Sequence, residues 1–72
     1  MGIMRIQDRS GDSVMEWDVA DEAAVKAAEK VFNDLLAKQH LGYKKTVEGG
    51  EVLRRFDPTA EEIVVAIPLV GG

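Results

Sequence analysis

The sequence contains no cysteine and only one histidine, His40. The absence of cysteine excludes disulfide bonds, thiolate nucleophiles and iron–sulfur ligation, and a single histidine is a poor basis for a zinc site. Aromatic residues are also few, with one tryptophan, one tyrosine and two phenylalanines. We therefore expect Trp17 and Phe32 to build the core rather than a stacking platform, and we predict no cofactor or metal site.

Long hydrophobic runs are missing as well. The longest, from Ile63 to Val70, spans eight residues, whereas about 20 are needed to cross a bilayer. The first residues do not form a basic segment followed by an apolar one, as a secretory signal would. With thirteen acidic against nine basic residues and a net charge of −4, nonspecific binding to nucleic acid is unfavourable. These features predict a cytoplasmic protein that binds neither membrane nor nucleic acid.

The length of 72 residues allows one domain and no second one. So short a chain buries only about 60% of its unfolded surface, which predicts one thin core and a stability of a few kcal/mol. The composition, 46% hydrophobic and 31% charged, is that of an ordinary folded domain. We expect a monomer that is not an enzyme, and whose function lies on its surface or near a terminus.

The first residues predict a β-hairpin. The segment Ile3–Gln7 and the segment Ser13–Trp17 flank Ser10-Gly11, which supplies turn chemistry. In the second segment Met15 and Trp17 alternate with polar or outward positions, the period of a half-buried strand.

A helix is predicted next. Asp18 or Asp21 can cap its first turn, the helix is expected to run to about His40, and Gly42 is expected to end it as the residue with left-handed backbone. Apolar residues recur at steps of three and four and define one buried stripe: Ala24, Val25, Ala28, Phe32, Leu35 and Leu36.

The remaining chain predicts a second hairpin and a last strand. Tyr43–Val47 and Glu51–Phe56 flank Gly49-Gly50, a pair suited to a turn. Asp57 to Glu61 reads as a single capped helical turn with Pro58 in its first position. Ile63–Ile67 is apolar on both faces and β-branched, which favours a central strand.

These elements predict an α+β domain over residues 1–67, with a mixed sheet packed on one helix in the order ββαββ, short helical turn, β. If the last strand lies parallel to the first, the crossover through the helix follows the right-handed rule. That arrangement is the β-grasp. Residues 68–72 are expected to form a separate tail.

In element order, length and tail the chain resembles the ubiquitin-like proteins, a family that includes ubiquitin, the thiamine sulfur carrier and the molybdopterin-synthase small subunit. The most specific part of the likeness is an apolar strand that leads into Pro68-Leu69-Val70-Gly71-Gly72. The proline before the tail is more similar to the bacterial sulfur carriers than to ubiquitin, whose tail carries arginines.

The resemblance implies that the carboxylate of Gly72 is adenylated by an activating enzyme that uses ATP. Gly71 and Gly72 have no Cβ and permit any φ, so they can enter a narrow nucleotide pocket of that partner. The product is then conjugated to a lysine, with a conjugating enzyme and an isopeptidase as further partners, or converted to a thiocarboxylate. A simpler reading of the two glycines is a frayed terminus.

A different class of function is an adaptor that is never conjugated. If the helix covers one sheet face, some apolar residues of the other face stay open and could bind a protein partner; the candidates are Leu53, Val64, Ala66, Leu69 and Val70. A basic patch on the second hairpin is a further alternative, weighed against a solvated edge that prevents aggregation; it would comprise Lys44, Lys45, Arg54 and Arg55.

Overall fold

The structure is a computed structural model that describes residues 1–8 and 11–67. Within them the chain forms one helix and five strands: β1 (Gly2–Ile6), β2 (Ser13–Trp17), α1 (Glu22–Ala37), β3 (Leu41–Thr46), β4 (Gly49–Val52) and β5 (Glu62–Ala66). Among the described residues, the helix is not long and apolar enough to cross a membrane.

The strands form one mixed sheet in the order β2-β1-β5-β3-β4. β1 and β5 are parallel, with Met4 opposite Ile63, and the other neighbouring pairs are antiparallel. The predicted α+β class, with one helix on a mixed sheet and the last strand central and parallel to the first, is confirmed. Ile63, Val64 and Val65 of β5 are all apolar and all buried, as expected for a central strand that is paired on both sides.

The core lies between the helix and one face of the sheet. Its buried members come from the strands, the helix and the loop after β4: Met4, Trp17, Ala28, Phe32, Phe56, Ala60, Ile63 and Val65. The ring of Phe56 lies 4.9 Å from that of Trp17 and 5.8 Å from that of Phe32, measured between centroids. The Trp17 indole also donates a 3.0 Å hydrogen bond to the carbonyl of Pro58, which ties this loop to the hairpin.

The helix begins where the charge pattern predicts and ends earlier than expected. The carboxylate of Asp21 accepts a hydrogen bond from the Ala24 amide and caps the first turn, whereas Asp18 accepts from Ala20 before the helix. The helix ends at Ala37, and Gln39, with a φ of 71°, is the residue with left-handed backbone. The prediction of Gly42 as that residue is therefore wrong.

Gly42 belongs to β3 and faces the core. A Cβ built on it would lie 2.6 Å from a ring carbon of Phe32, closer than side-chain atoms pack. Glycine is needed at this position because the strand must approach the Phe32 ring, and not because the helix must turn.

The second hairpin is confirmed, but its turn and its second strand differ from the prediction. The turn is formed by Val47 and Glu48, while Gly49 has the positive φ of 131° and already pairs with Thr46. β4 accordingly ends at Val52. The segment from Asp57 to Glu61, which was predicted to be a single turn of helix, instead contains a tight turn at Pro58 and Thr59. In this turn the carboxylate of Asp57 accepts hydrogen bonds from the amide and the hydroxyl of Thr59.

Candidate functional site

The first candidate site lies at the C-terminal end of the central strand β5. The parallel ladder continues beyond β1, since the Gln7 amide donates a 2.9 Å hydrogen bond to the carbonyl of Val65. Ile67 follows β5 and helps to line a cleft of about 300 Å³ with the ends of β1 and α1; the other lining residues are Ile6, Gln7, Asp8, Leu35, Lys38 and His40. The predicted activation residues Gly71 and Gly72 lie outside the described residues, as do Leu69 and Val70.

This cleft has an apolar floor and a polar rim. The Nδ1 atom of His40 is buried and has no hydrogen-bond partner among the described residues. The described lining residues include no serine, threonine or cysteine, so His40 has no hydroxyl or thiol beside it to activate as a nucleophile. Among the described residues, the cleft therefore offers apolar side chains and one imidazole beside the end of β5.

The second candidate site is the sheet face opposite the helix, which we call the open face. One row of cross-strand neighbours runs over all five strands, and it consists of Val14, Arg5, Val64, Tyr43 and Val52. Val64, at the centre, is only 6% exposed although it is not part of the core cluster, because Arg5 and Tyr43 flank it on the neighbouring strands. At the two ends of the row Val14 and Val52 are 53% and 60% exposed.

The open face carries two further apolar residues in the adjacent row, where Ala66 of β5 lies opposite Leu41 of β3. Leu41 is 51% exposed and Ala66 is half-buried. The predicted partner-binding residues Val64 and Ala66 thus share this face. Leu41, Tyr43, Val14 and Val52 were missed; an alternating pattern that starts at Leu41 would have indicated the β3 pair, had Gly42 not been assigned to the helix end.

Leu53 does not lie on the open face. Its amide donates a 2.9 Å hydrogen bond to the carbonyl of Gly42, and since Gly42 faces the core, its cross-strand neighbour Leu53 does so as well. Leu53 is half-buried against the core cluster. The expectation that Leu53 shares a face with Val64 is wrong. The preceding residue, Val52, lies on the open face instead.

Charged residues border the open face at its other end. Glu62 accepts a hydrogen bond from the Nε of Arg5 at 3.2 Å and lies 3.7 Å from the ammonium of Lys45. These ion pairs join β1, β5 and β3 next to the apolar row. The open face is therefore apolar towards the chain exit and ionic at the opposite end.

A separate ionic group lies on the helix side of the sheet, between β3 and the loop after β4. The ammonium of Lys44 lies 3.2 Å from Asp57 and 3.5 Å from Glu51. The hydrogen bond from the Thr59 hydroxyl is the main cause of the lowered pKa of Asp57, and the hydrogen bond to Asp57, followed by the charge of Glu51, raises the pKa of Lys44. Asp57 stays ionised and partnered at neutral pH, which suits a structural role and not general acid–base chemistry.

The predicted basic patch is divided by the fold. Lys44 and Lys45 alternate to opposite faces of β3 and are both engaged by carboxylates. Arg54 and Arg55 lie apart from them in the exposed loop that follows β4.

No protein-family model, no curated protein and no solved structure matches this chain. In residues 1–8 and 11–67 there is also no group of three or more potential metal-ligating side chains. The features of the chain that bear on its function are therefore its topology, the surfaces described above and the sequence that follows β5.

Proposed function

We propose that this chain is a ubiquitin-like β-grasp protein of prokaryotic type that acts as a protein modifier or a sulfur carrier. An activating enzyme adenylates the carboxylate of Gly72, and the activated end is then conjugated to a lysine or converted to a thiocarboxylate. The observation that carries the proposal is a central strand β5, parallel to β1 in a five-stranded sheet on one helix, followed in the sequence by Gly71-Gly72.

The geometry at the end of β5 supports this proposal. A carboxyl end that must enter another protein's nucleotide pocket needs to leave the folded body at an edge that a partner can approach. β5 ends on the same side of the domain as α1 and β1, and Ile67 is 37% exposed there. The cleft beside Ile67 and the apolar pair Leu41 and Ala66 provide contact surface around that exit.

The chemistry requires a partner because a carboxylate does not react with amines or thiols at neutral pH. Attack of the Gly72 carboxylate on the α-phosphate of ATP gives an acyl-adenylate and pyrophosphate. A thiolate or a sulfur donor then attacks the acyl carbon, and AMP leaves. This chain has no cysteine, and Asp57 and Lys44 are paired with each other, so the catalytic groups come from the activating enzyme and the chain supplies the substrate.

The test is incubation of the chain ending at Gly72 with ATP and an activating enzyme encoded near its gene. We expect ATP-dependent pyrophosphate exchange and, by intact mass, an adenylate, a thioester or a thiocarboxylate. A variant lacking Gly71 and Gly72 serves as the matched control, since it keeps residues 1–70 and lacks only the predicted site of activation; circular dichroism checks that it folds. Equal exchange with this variant, or no exchange with the complete chain, would count against the proposal.

A second candidate function is an unconjugated adaptor that binds a protein through the open face. The exposed apolar residues of the open face, Val14, Val52 and Leu41, favour it, because apolar patches on small domains commonly mark interfaces. Leu41→Asp would abolish partner capture while deletion of both glycines leaves it intact. Val64→Asp is unsuitable for this test because Val64 is buried and the charge would unfold the domain.

A further inference from the structure

A groove of about 730 Å³ runs along the loop that follows β4. Apolar side chains, two arginines and one carboxylate, which is paired with Lys44, line it: Val52, Leu53, Phe56, Pro58, Arg54, Arg55 and Asp57. Val52 is 60% exposed and both arginines are exposed. Uncovered apolar surface and two guanidinium groups thus occur side by side.

The two arginines differ from the lysines of β3 in their electrostatic state. Lys44 and Lys45 are engaged by carboxylates, whereas within residues 1–8 and 11–67 Arg54 and Arg55 take part in no ion pair. The chain as a whole carries a net charge of −4. Asp57, the carboxylate of the groove, is paired with Lys44, so the two guanidinium groups remain available to attract carboxylates of a partner.

The groove is continuous with a free sheet edge. In the part of the chain that the structure describes, β4 is the last strand of the sheet and pairs with β3 alone. The Leu53 amide bonds inwards to Gly42, and because inward and outward groups alternate along an antiparallel strand, the amides and carbonyls of Gly50 and Val52 point away from β3. Such an edge can take up a further extended segment by main-chain hydrogen bonding.

The other edge strand has no such arginines beside it. β2 is flanked by Asp12 and Asp18 and carries Glu16, and residues 11–18 include no basic side chain. β4 carries Glu51 and follows Glu48, so the feature that distinguishes the two edges for an acidic segment is the pair Arg54 and Arg55 after β4.

We infer that β4 and the adjoining groove bind an extended acidic segment of a partner protein. The segment adds a strand beside Gly50 and Val52, places apolar side chains against Val52 and Pro58, and places carboxylates on Arg54 and Arg55. This interaction goes beyond the proposed carrier function because it does not use the diglycine.

The probe is a short fluorescein-labelled synthetic peptide in which glutamate and valine alternate, with fluorescence anisotropy as the readout. We expect saturable binding that weakens as salt rises. The double variant Arg54→Glu/Arg55→Glu should weaken binding by about tenfold or more, since two attractive contacts become repulsive. The control Lys30→Glu/Lys38→Glu makes the same change in net charge on the helix and should leave binding within about twofold of the unaltered chain.

Main-chain pairing is tested at Val52. Val52→Pro removes the outward amide without removing a hydrogen bond to β3, and edge strands tolerate proline at such positions. We expect Val52→Pro to abolish binding and Val52→Thr to retain it, with circular dichroism confirming that both variants fold.

Several results would overturn the inference. They are the absence of saturable binding up to about 1 mM peptide, equal binding of a peptide with lysine in place of glutamate, and indifference to the reversal of both arginines. Self-association of the chain in sedimentation experiments that the peptide does not displace would assign the β4 edge to a second copy, and would also overturn it.

Discussion

At the scale of single residues, two positions near the end of α1 exchange the roles that their side chains suggest. Gly42, a residue suited to a helix end, lies in β3 against the Phe32 ring. Gln39, which carries a Cβ, has the left-handed φ of 71°. Tertiary packing determines the role of Gly42, because the ring of Phe32 leaves no space for a Cβ at this position.

Gly42→Ala should therefore lower the free energy of unfolding by about 1–3 kcal/mol, as expected for overpacking of a filled core. Denaturant unfolding measures this change. In the Phe32→Leu background the same substitution should cost less, because the smaller side chain leaves room for the new methyl group. An equal cost in both backgrounds would show that the glycine is required for another reason.

Gln39→Gly should raise the free energy of unfolding by up to about 1 kcal/mol. Left-handed backbone costs a residue with a Cβ about 1–2 kcal/mol, and the greater freedom of glycine in the unfolded chain offsets part of this gain. Thermal and denaturant unfolding provide the measurement. A lower stability of Gln39→Gly would contradict the left-handed assignment.

The pair formed by Lys44 and Asp57 predicts a dependence of stability on pH. The pKa of Asp57 is lowered in the fold, so its contribution is present above its unfolded pKa of about 3.9 and is lost as pH falls through the folded pKa. The pKa of Lys44 is raised, so its contribution is present below about 10.4 and is lost as pH rises through the folded pKa.

The difference in unfolding free energy between the unaltered chain and Asp57→Asn should therefore be constant between about pH 5 and pH 9 and shrink at both extremes. Urea denaturation at a series of pH values measures it. A difference that persists at pH 2 would mean that the ionised carboxylate is not the stabilising species.

At the scale of elements, the helix is the best example of a structure determined locally. Its apolar stripe faces the sheet, with Ala28 and Phe32 fully buried and Ala24, Val25, Leu35 and Leu36 packed around them. The repeat of three and four predicts this face because only one side of a helix can contact a sheet. The start is local too, since the Asp21 carboxylate bonds to an amide three residues ahead.

Asp21→Ala should reduce the free energy of unfolding by about 0.5–2 kcal/mol, the usual cost of removing an N-cap. Asp34→Ala is the matched control: it removes an exposed carboxylate that lies 3.9 Å from Lys30 and should change stability by at most about 0.5 kcal/mol. Equal losses in the two variants would contradict the capping role.

The second hairpin shows why strand positions are harder to predict. Two consecutive glycines suggest a turn, yet only Gly49 has positive φ, and Gly50 lies in β4 under the ring of Tyr43. The turn therefore lies at Val47 and Glu48. Because side chains alternate along a strand, the changed position exchanges Val52 and Leu53 between the two faces, and one predicted open-face residue was assigned to the wrong side.

At the scale of the whole molecule, the described residues form one core cluster to which the helix, the strands and the loop after β4 all contribute. β5 is paired on both sides by β1 and β3, and the loop after β4 closes the end of the core through Phe56 and Ala60. The proposed carrier function requires residues 68–72 to be dispensable for folding, because the activated end must be available to a partner.

A chain ending at Ile67 should thus unfold with a free energy within about 0.5 kcal/mol of that of the complete chain, as for changes away from packed sites. The same truncation should abolish ATP-dependent activation. Chemical denaturation and pyrophosphate exchange measure the two effects. A large loss of stability would show that residues 68–72 belong to the folded domain.

The sequence alone determined the order of the helix and strands, the helix face, an aspartate cap at Asp18 or Asp21 and the central position of the last strand, and the structure selects Asp21 as the cap. Each of these follows from local periodicity, charge or the apolar character of one short segment. Only the tertiary structure decided the register of the second hairpin, the use of Gly42 against Phe32, the division of the four basic residues and the members of the open face. These depend on contacts between residues distant in sequence, and a strand pattern of period two reverses its meaning when it shifts by a single residue.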